Sequence, residues 1–357
     1  MPEGLARSWH WNSGIVFILI DKRACMRVGV AIEETWSFFT EIFEDLRANH
    51  ETTLFKRRKI NFPWLQPWLT NYQFHKDIER FLTENDVVFF EWASELLAYA
   101  SRLPKTCGIV TRLHRYELYH WADQIHWDVV DRIIVVSQAK KDEFTRRFPE
   151  QGDKLVVIPE AVSLSKFDLH EKPFGGDLGI LCRLTPRKRV YELILAFYEL
   201  NQRESGYTLH IGGGRHPRFG DYYQALRQLV IELKLEDRVI FYGDITHASE
   251  WYSKIDIFIS NSYSEGLQVS PMEAIASGCY CLSHRWGGAE ELLPEENLYY
   301  TEQELISKIL DYAQASPEIQ KARRQKLVYK LHDCFDMEKV KVQIRSVIEE
   351  VGERATH

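Results

Sequence analysis

The chain has no C-x-x-C pair, although it has six cysteines (Cys25, Cys107, Cys182, Cys279, Cys281 and Cys334). That removes the usual zinc-ribbon and dithiol patterns. Several of these cysteines sit in apolar, strand-like runs, as buried free thiols do. A reducing, cytoplasmic setting without disulfides is the expectation. There is no surplus of positive charge either: 45 Lys and Arg stand against 52 Asp and Glu, for a net charge of −7. Neither half is basic, which argues against nucleic acid as a partner. The longest apolar run near the start, Ile15 to Ile20, is far below the roughly 20 residues needed to span a bilayer, and it lacks a signal-peptide layout. No Asp-x-Asp occurs anywhere, nor does an internal repeat or low-complexity segment.

What is present is length and alternation. A chain of 357 residues with 45% apolar content predicts two domains with substantial cores. Strand-like runs at Arg27–Ala31, Thr52–Phe55, Asp86–Glu91, Cys107–Arg112, Arg132–Val136 and Lys154–Ile158 are mostly separated by amphipathic helical stretches. Those stretches are Trp36–Asn49, Asn71–Thr83, Glu95–Ser101 and Gln138–Phe148. A second series follows at Leu178–Cys182, Tyr207–Ile211, Arg238–Phe241, Asp256–Ser260 and Gly278–Ser283. Such alternation predicts parallel sheets with helices on both faces, an α/β, doubly wound architecture. The polar stretch 166–176, with Pro173, Gly175 and Gly176, reads as a linker between domains 26–165 and 177–334. Residues 335–357 read as a closing helix and tail. Residues 1–25 look foreign to the rest: a methionine, Met26, directly precedes the first strand, and Trp9-His-Trp-Asn-Ser-Gly forms no clear element. They read as an over-extended start or a loosely held tail.

The most informative stretch begins with the apolar strand Asp256–Ser260. It passes Asn-Ser-Tyr-Ser and continues as Glu265-Gly266-Leu-Gln-Val-Ser-Pro-Met-Glu273-Ala-Ile-Ala-Ser-Gly278. Gly278 can stop a helix here. At about 100° per residue, eight helical steps return to within roughly 80° of the start, so Glu265 and Glu273 are expected to face one cleft at different depths. Gly266 lets backbone approach a ligand, and a helix N-terminus offers N–H groups to an anion. Phosphate at the helix start, flanked by carboxylates that accept sugar hydroxyls, suits a nucleotide-sugar.

This segment resembles the E-x7-E signature of retaining glycosyltransferases with the GT-B fold, family 4 in particular. Further landmarks follow the family's order. Leu181-Cys-Arg183-Leu-Thr-Pro-Arg187-Lys188 is similar to its "GRL-x-x-x-K" turn, Leu209-His-Ile-Gly212-Gly213-Gly214 to its strand ending in "GxG", Phe241-Tyr-Gly243 to its "F-x-G" strand, and Gly287-Gly288-Ala-Glu-Glu291 to its "GG-x-x-E". The likeness covers about residues 178–300; the first half is similar only loosely. It implies two Rossmann-like domains facing across a cleft, with a last helix crossing back to the first domain, a part that Met337–Val351 could take.

The resemblance also implies roles. Arg183 and Lys188 would hold the diphosphate of a nucleotide-sugar, with Arg187 and Arg189 nearby. Glu273 would accept from the nucleotide ribose and Glu265 would lie near the transferred sugar. Gly212, Gly213, Gly243, Gly266, Leu267 and Gln268 would line the donor. Glu291 has either a site role or a structural one at a helix start. His114 would stand on the first domain's rim beside the donor sugar, with Arg112 and Glu117 as acceptor-side neighbours. Two family features are replaced: the glycine-rich loop after the first strand is Ile32-Glu33-Glu34-Thr-Trp36, and "P-N-G" is Pro159-Glu160-Ala161. Glu33 and Glu34 become acceptor-side candidates.

The missing Asp-x-Asp, which GT-A enzymes commonly use to hold a metal beneath the diphosphate, agrees with cationic side chains and a helix start doing that work. No metal and no cofactor are expected. The implied reaction moves a sugar to a saccharide, lipid-linked or small-molecule acceptor. The alternatives are an epimerase or phosphorylase on the same scaffold, or a non-catalytic nucleotide-sugar-binding subunit. Residues 55–72, with Lys56-Arg-Arg-Lys59 ahead of Trp64 and Trp68, are an acceptor-side loop or a peripheral membrane contact.

Overall fold

The computed structural model describes residues 26–37, 39–58 and 66–355. Two six-stranded parallel sheets organise them. The first holds β1 (Arg27–Ala31), β2 (Glu51–Leu54), β3 (Val87–Phe90), β4 (Gly108–Leu113), β5 (Arg132–Val135) and β6 (Leu155–Val157), in the order β2-β1-β3-β4-β5-β6. The second holds β7 (Asp177–Leu181), β8 (Thr208–Gly212), β9 (Val239–Gly243), β10 (Ile257–Ser260), β11 (Tyr280–His284) and β12 (Leu298–Tyr299), in the order β12-β11-β10-β7-β8-β9. Helices cover both faces, so strands such as Val87–Phe90 and Ile257–Ser260 are buried along their whole length.

In each sheet the chain order reverses once, between β1 and β3 in the first and between β7 and β10 in the second. A crevice opens there beyond the carboxyl ends of the strands, where open α/β sheets bind ligands. The turn 182–189 after β7 and the turn 261–268 after β10 flank the second crevice. The E-x7-E segment is therefore placed by topology, independently of its residue types.

The helix Met337–Ala355 packs on the first sheet. Met337, Val340, Ile344, Val347, Ile348 and Val351 share a core with Val28, Val30, Val87, Phe89 and Val110. The chain enters this helix through backbone pairing at Val162, whose N–H donates to Phe335 O at 3.0 Å and whose carbonyl accepts from Met337 N at 3.1 Å. Most sequence-read strands fall within a residue or two of those observed. Three differences stand out. The helix expected from Trp36 starts at Thr40, because Ser37 N donates to Thr35 Oγ1 at 3.3 Å and holds a local turn there. The short β12 and the helix Arg115–His120 carry too little periodicity to be read from sequence. Residues 1–25, Lys59 and Trp64 lie outside the described residues.

Candidate active site

On the second domain, the helix after β10 runs from Val269 to Ala276, and Gly278 takes φ +95° just beyond its end. Glu265 thus precedes the helix and lies in the turn. The helical-wheel expectation for the two glutamates is corrected: they are not eight steps along one helix, and each has its own surroundings. Glu265 is buried, pairs with Arg187, and stands 2.7 Å from Lys188 Nζ. Burial alone would raise its pKa. Lys188 and Arg187 outweigh that and hold it at about 2, so it is ionised at neutral pH. Arg187 also donates to Ser264 O at 2.6 Å. Glu273 instead accepts from Tyr252 Oη at 2.9 Å, and burial raises its pKa.

Arg183 is exposed and has no ion pair or side-chain hydrogen bond among the described residues. Arg189 adopts φ 50° at the start of the helix Val190–Arg203 and pairs with Glu302 at 2.7 Å, which commits it elsewhere. The glycines knit the rim. Gly213 N donates to Gly243 O at 2.7 Å, and Cys182 N donates to Gly212 O at 3.1 Å. A Cβ on Gly213 would lie 1.8 Å from Cys182 O, so only glycine brings the end of β8 this close to the Arg183 turn. Leu267 and Gln268 are buried, and Gln268 Nε2 donates to Ser262 Oγ at 3.1 Å.

The first domain's rim is built differently. His114 follows β4 and stacks on Trp92, with centroids 4.1 Å apart. Its Nδ1 is 3.3 Å from Glu117 Oε1 and its Nε2 is 3.1 Å from Glu160 Oε1. Burial would lower the pKa of the ring, yet Glu117 and Glu160 carry it up to about 10, so the imidazolium persists. Arg112 lies beneath, donating to Glu91 at 3.0 Å and to Glu160 at 2.5 Å. Burial pushes Glu91 up to about 7 despite Arg112. Residual exposure decides which of these can meet a bound molecule: His114 keeps 9%, against 0% for Glu91, Arg112 and Glu117. The placing of Arg112 and Glu117 as acceptor-side contacts is therefore corrected. Both are buried supports of His114.

Glu33 pairs with Arg57 at 2.9 Å, and Glu34 accepts from Ser94 Oγ. Arg58 pairs with Asp77 and Arg57 lies over the Phe74 ring, so two of the four clustered cations are bound to their own domain. Trp68 falls within the helix Gln66–Glu84. No helix among the described residues is long and apolar enough to cross a membrane.

The two rims touch. Arg115 Nε donates to Ser264 Oγ at 2.7 Å, and Ser137 Oγ donates to Gly266 O at 3.3 Å. A Cβ on Gly266 would stand 3.4 Å from Arg115 N, so glycine lets the Glu265 turn rest on the residue after His114. Sequence reasoning missed Glu91, Trp92 and Arg115, and it treated Glu160 only as a departure. A charged residue closing the apolar run Val87–Phe90 was the one available signal for Glu91.

Residues 175–315 match the family model described as Glycosyl transferases group 1. Alpha-monoglucosyldiacylglycerol synthase of Streptococcus pneumoniae is 27% identical over 49% of this chain and 43% of its own length. The GPI3 subunit of phosphatidylinositol N-acetylglucosaminyltransferase of Saccharomyces cerevisiae is 24% identical over 60% of this chain and 50% of its own length. The chain thus spans about half of each of these relatives. Anabaena Alr3699/HepE, solved with UDP and glucose, superposes with a TM-score of 0.74 at 18% identity, covering 91% of this chain and 99% of that one. The family match is confined to the second domain, and the chain as a whole has the GT-B fold.

Proposed function

We propose that this protein is a retaining, metal-independent glycosyltransferase that uses a nucleotide-diphosphate-sugar. The observation that carries the reading is the ionised Glu265 held by Lys188 and Arg187 at the β7/β10 crevice, with Arg183 exposed and without an ion pair among the described residues in the same turn as Lys188. In the proposed reaction the bond from the sugar's anomeric carbon to the diphosphate breaks, and a bond to an acceptor hydroxyl forms on the same face. The hydroxyl proton passes to the departing diphosphate. Arg183 and Lys188 stabilise the charge that develops there, and preorganised cations are effective in such a role. Glu273 accepts from the ribose. Glu265 and the His114 imidazolium orient the sugar. Two of the curated relatives carry diacylglycerol and phosphatidylinositol in their names. That supports a lipid-linked acceptor, met from the cytoplasmic side with peripheral contact through residues 55–72.

The test is turnover of a panel of labelled nucleotide-sugars with lipid, saccharide and small-molecule acceptors, with and without a chelator. Acceptor-dependent release of nucleotide diphosphate that survives the chelator supports the proposal. Sugar conversion without acceptor points to an epimerase instead. Activity lost in chelator and restored by magnesium or manganese would overturn metal independence.

A further inference from the structure

A helix starts with N–H groups that have no partner inside it. In the helix Gln138–Arg147 of the first domain, Ser137 Oγ serves the N–H of Lys140 at 3.2 Å. The preceding two are served from the other domain. Gln138 N donates to Glu291 Oε2 at 2.6 Å and Ala139 N donates to Glu291 Oε1 at 2.8 Å. Both carboxylate oxygens are engaged, at the end of the helix where the peptide dipoles favour an anion. Gly288, at φ +106°, brings this loop in so closely that a Cβ would lie 2.9 Å from that of Ala139. Glu291 follows β11 and the Glu265 turn follows the adjacent β10. Both loops therefore grip one stretch of the first domain, Val136–Ala139, which Gly266 also reaches.

We propose that Glu291 is a positioning residue. Its two-pronged hold on Gln138 and Ala139 keeps the domains closed, so that the His114 rim meets the Glu265 turn. This rests on the glycosyltransferase reading for its consequence in turnover, but closure itself can be measured without any activity. Glu291 touches no reacting group; it acts through the fit of the two rims.

The experiment uses the full chain, Glu291→Ala, Gln138→Pro and the double variant. Proline removes the Gln138 N–H, is well tolerated at a first helical position, and suits the extended Ser137 (φ −160°, ψ 159°) before it. Small-angle X-ray scattering reads closure and thermal unfolding reads integrity. Expected are a larger radius of gyration with an unchanged melting temperature in each single variant. The expected kinetic effect is a fall of about 10–100-fold in kcat with little change in donor KM, since slight misplacement of reacting groups costs that much. The double variant should be no worse than Glu291→Ala, because that variant already removes both prongs and the proline removes one of the same two. Scattering and kcat like the parent's in either single variant, or fully additive losses, would overturn the proposal. Should Glu291→Ala fail to fold, Gln138→Pro decides it alone. If the parent transfers no sugar, the functional reading fails while scattering still decides the latch.

Discussion

The two rims of the cleft hold comparable numbers of charges and use them in opposite ways. On the second domain, Glu265 is balanced by cations from the turn just after β7, and Arg183 has no ion pair among the described residues. On the first, Glu91, Glu117 and Glu160 surround Arg112 and His114 in a cluster almost wholly removed from water. The second rim keeps its charge available to a ligand. The first spends most of its charge holding one ring in place.

Removing the centre of the buried cluster should have the largest effect. Arg112→Met takes the guanidinium from both Glu91 and Glu160 and leaves His114 to balance them alone, and breaking a buried pair costs about 3–5 kcal/mol. Urea unfolding measures it, and a loss under about 1 kcal/mol would erase the contrast between rims. Arg183→Ala is its counterpart on the second rim. With no partner to abandon, it should leave unfolding unchanged while turnover drops by ~10²–10³, the usual cost of losing one stabiliser of developing charge. Parent-like turnover would remove Arg183 from the site.

Smaller effects follow at the two glutamates. Glu273→Ala should weaken donor binding by roughly 1.5–3 kcal/mol, the worth of a hydrogen bond to a charged acceptor. Calorimetric affinity equal to the parent's would refute the ribose role. For Glu265 the sign is fixed by a pKa held at about 2 in the folded state against 4.5 for the ordinary group. The folded state then binds fewer protons between these values, so the stability Glu265 contributes is whole above pH 4.5 and is lost as pH falls toward 2. Glu265→Gln should flatten that part of the acid limb. Denaturation curves at pH 5, 4 and 3 test it, and parallel limbs in both proteins would sink the assignment.

The same contrast explains what the sequence disclosed. Second-domain signals are local. Arg183 through Lys188 lie in one turn, and Glu265 and Glu273 in one turn and the helix that follows it, so short stretches that resemble a known family brought them forward. Both sheets were legible apart from the two-residue β12, because parallel strands buried on both faces read as apolar runs. The first-domain cluster was not, since Glu91, Arg112 and Glu160 meet only when β3, β4 and the segment after β6 are laid side by side. Glu273 shows a subtler limit. Its spacing from Glu265 was visible, but not that the helix starts only at Val269 and that Tyr252 takes the carboxylate. The hold of Glu291 on Gln138 was equally hidden, since a helix start advertises its cap only when the cap is nearby in the chain.

The helix Met337–Ala355 has a consequence for how the molecule comes into being. Proteins are made from the N-terminus, at about 5–20 residues per second, and early domains generally fold while later ones are still being synthesised. Here the early sheet is short of Val340, Ile344, Ile348 and their neighbours until the far end of the described chain has emerged. For roughly tens of seconds of translation at that pace, Val28, Val30 and Phe89 lack their covering. The late sheet takes its own late core residues, Leu327 and Leu331, from the helix Pro317–Cys334 that directly precedes the Met337 helix, so the sheet made first should be the last to be completed.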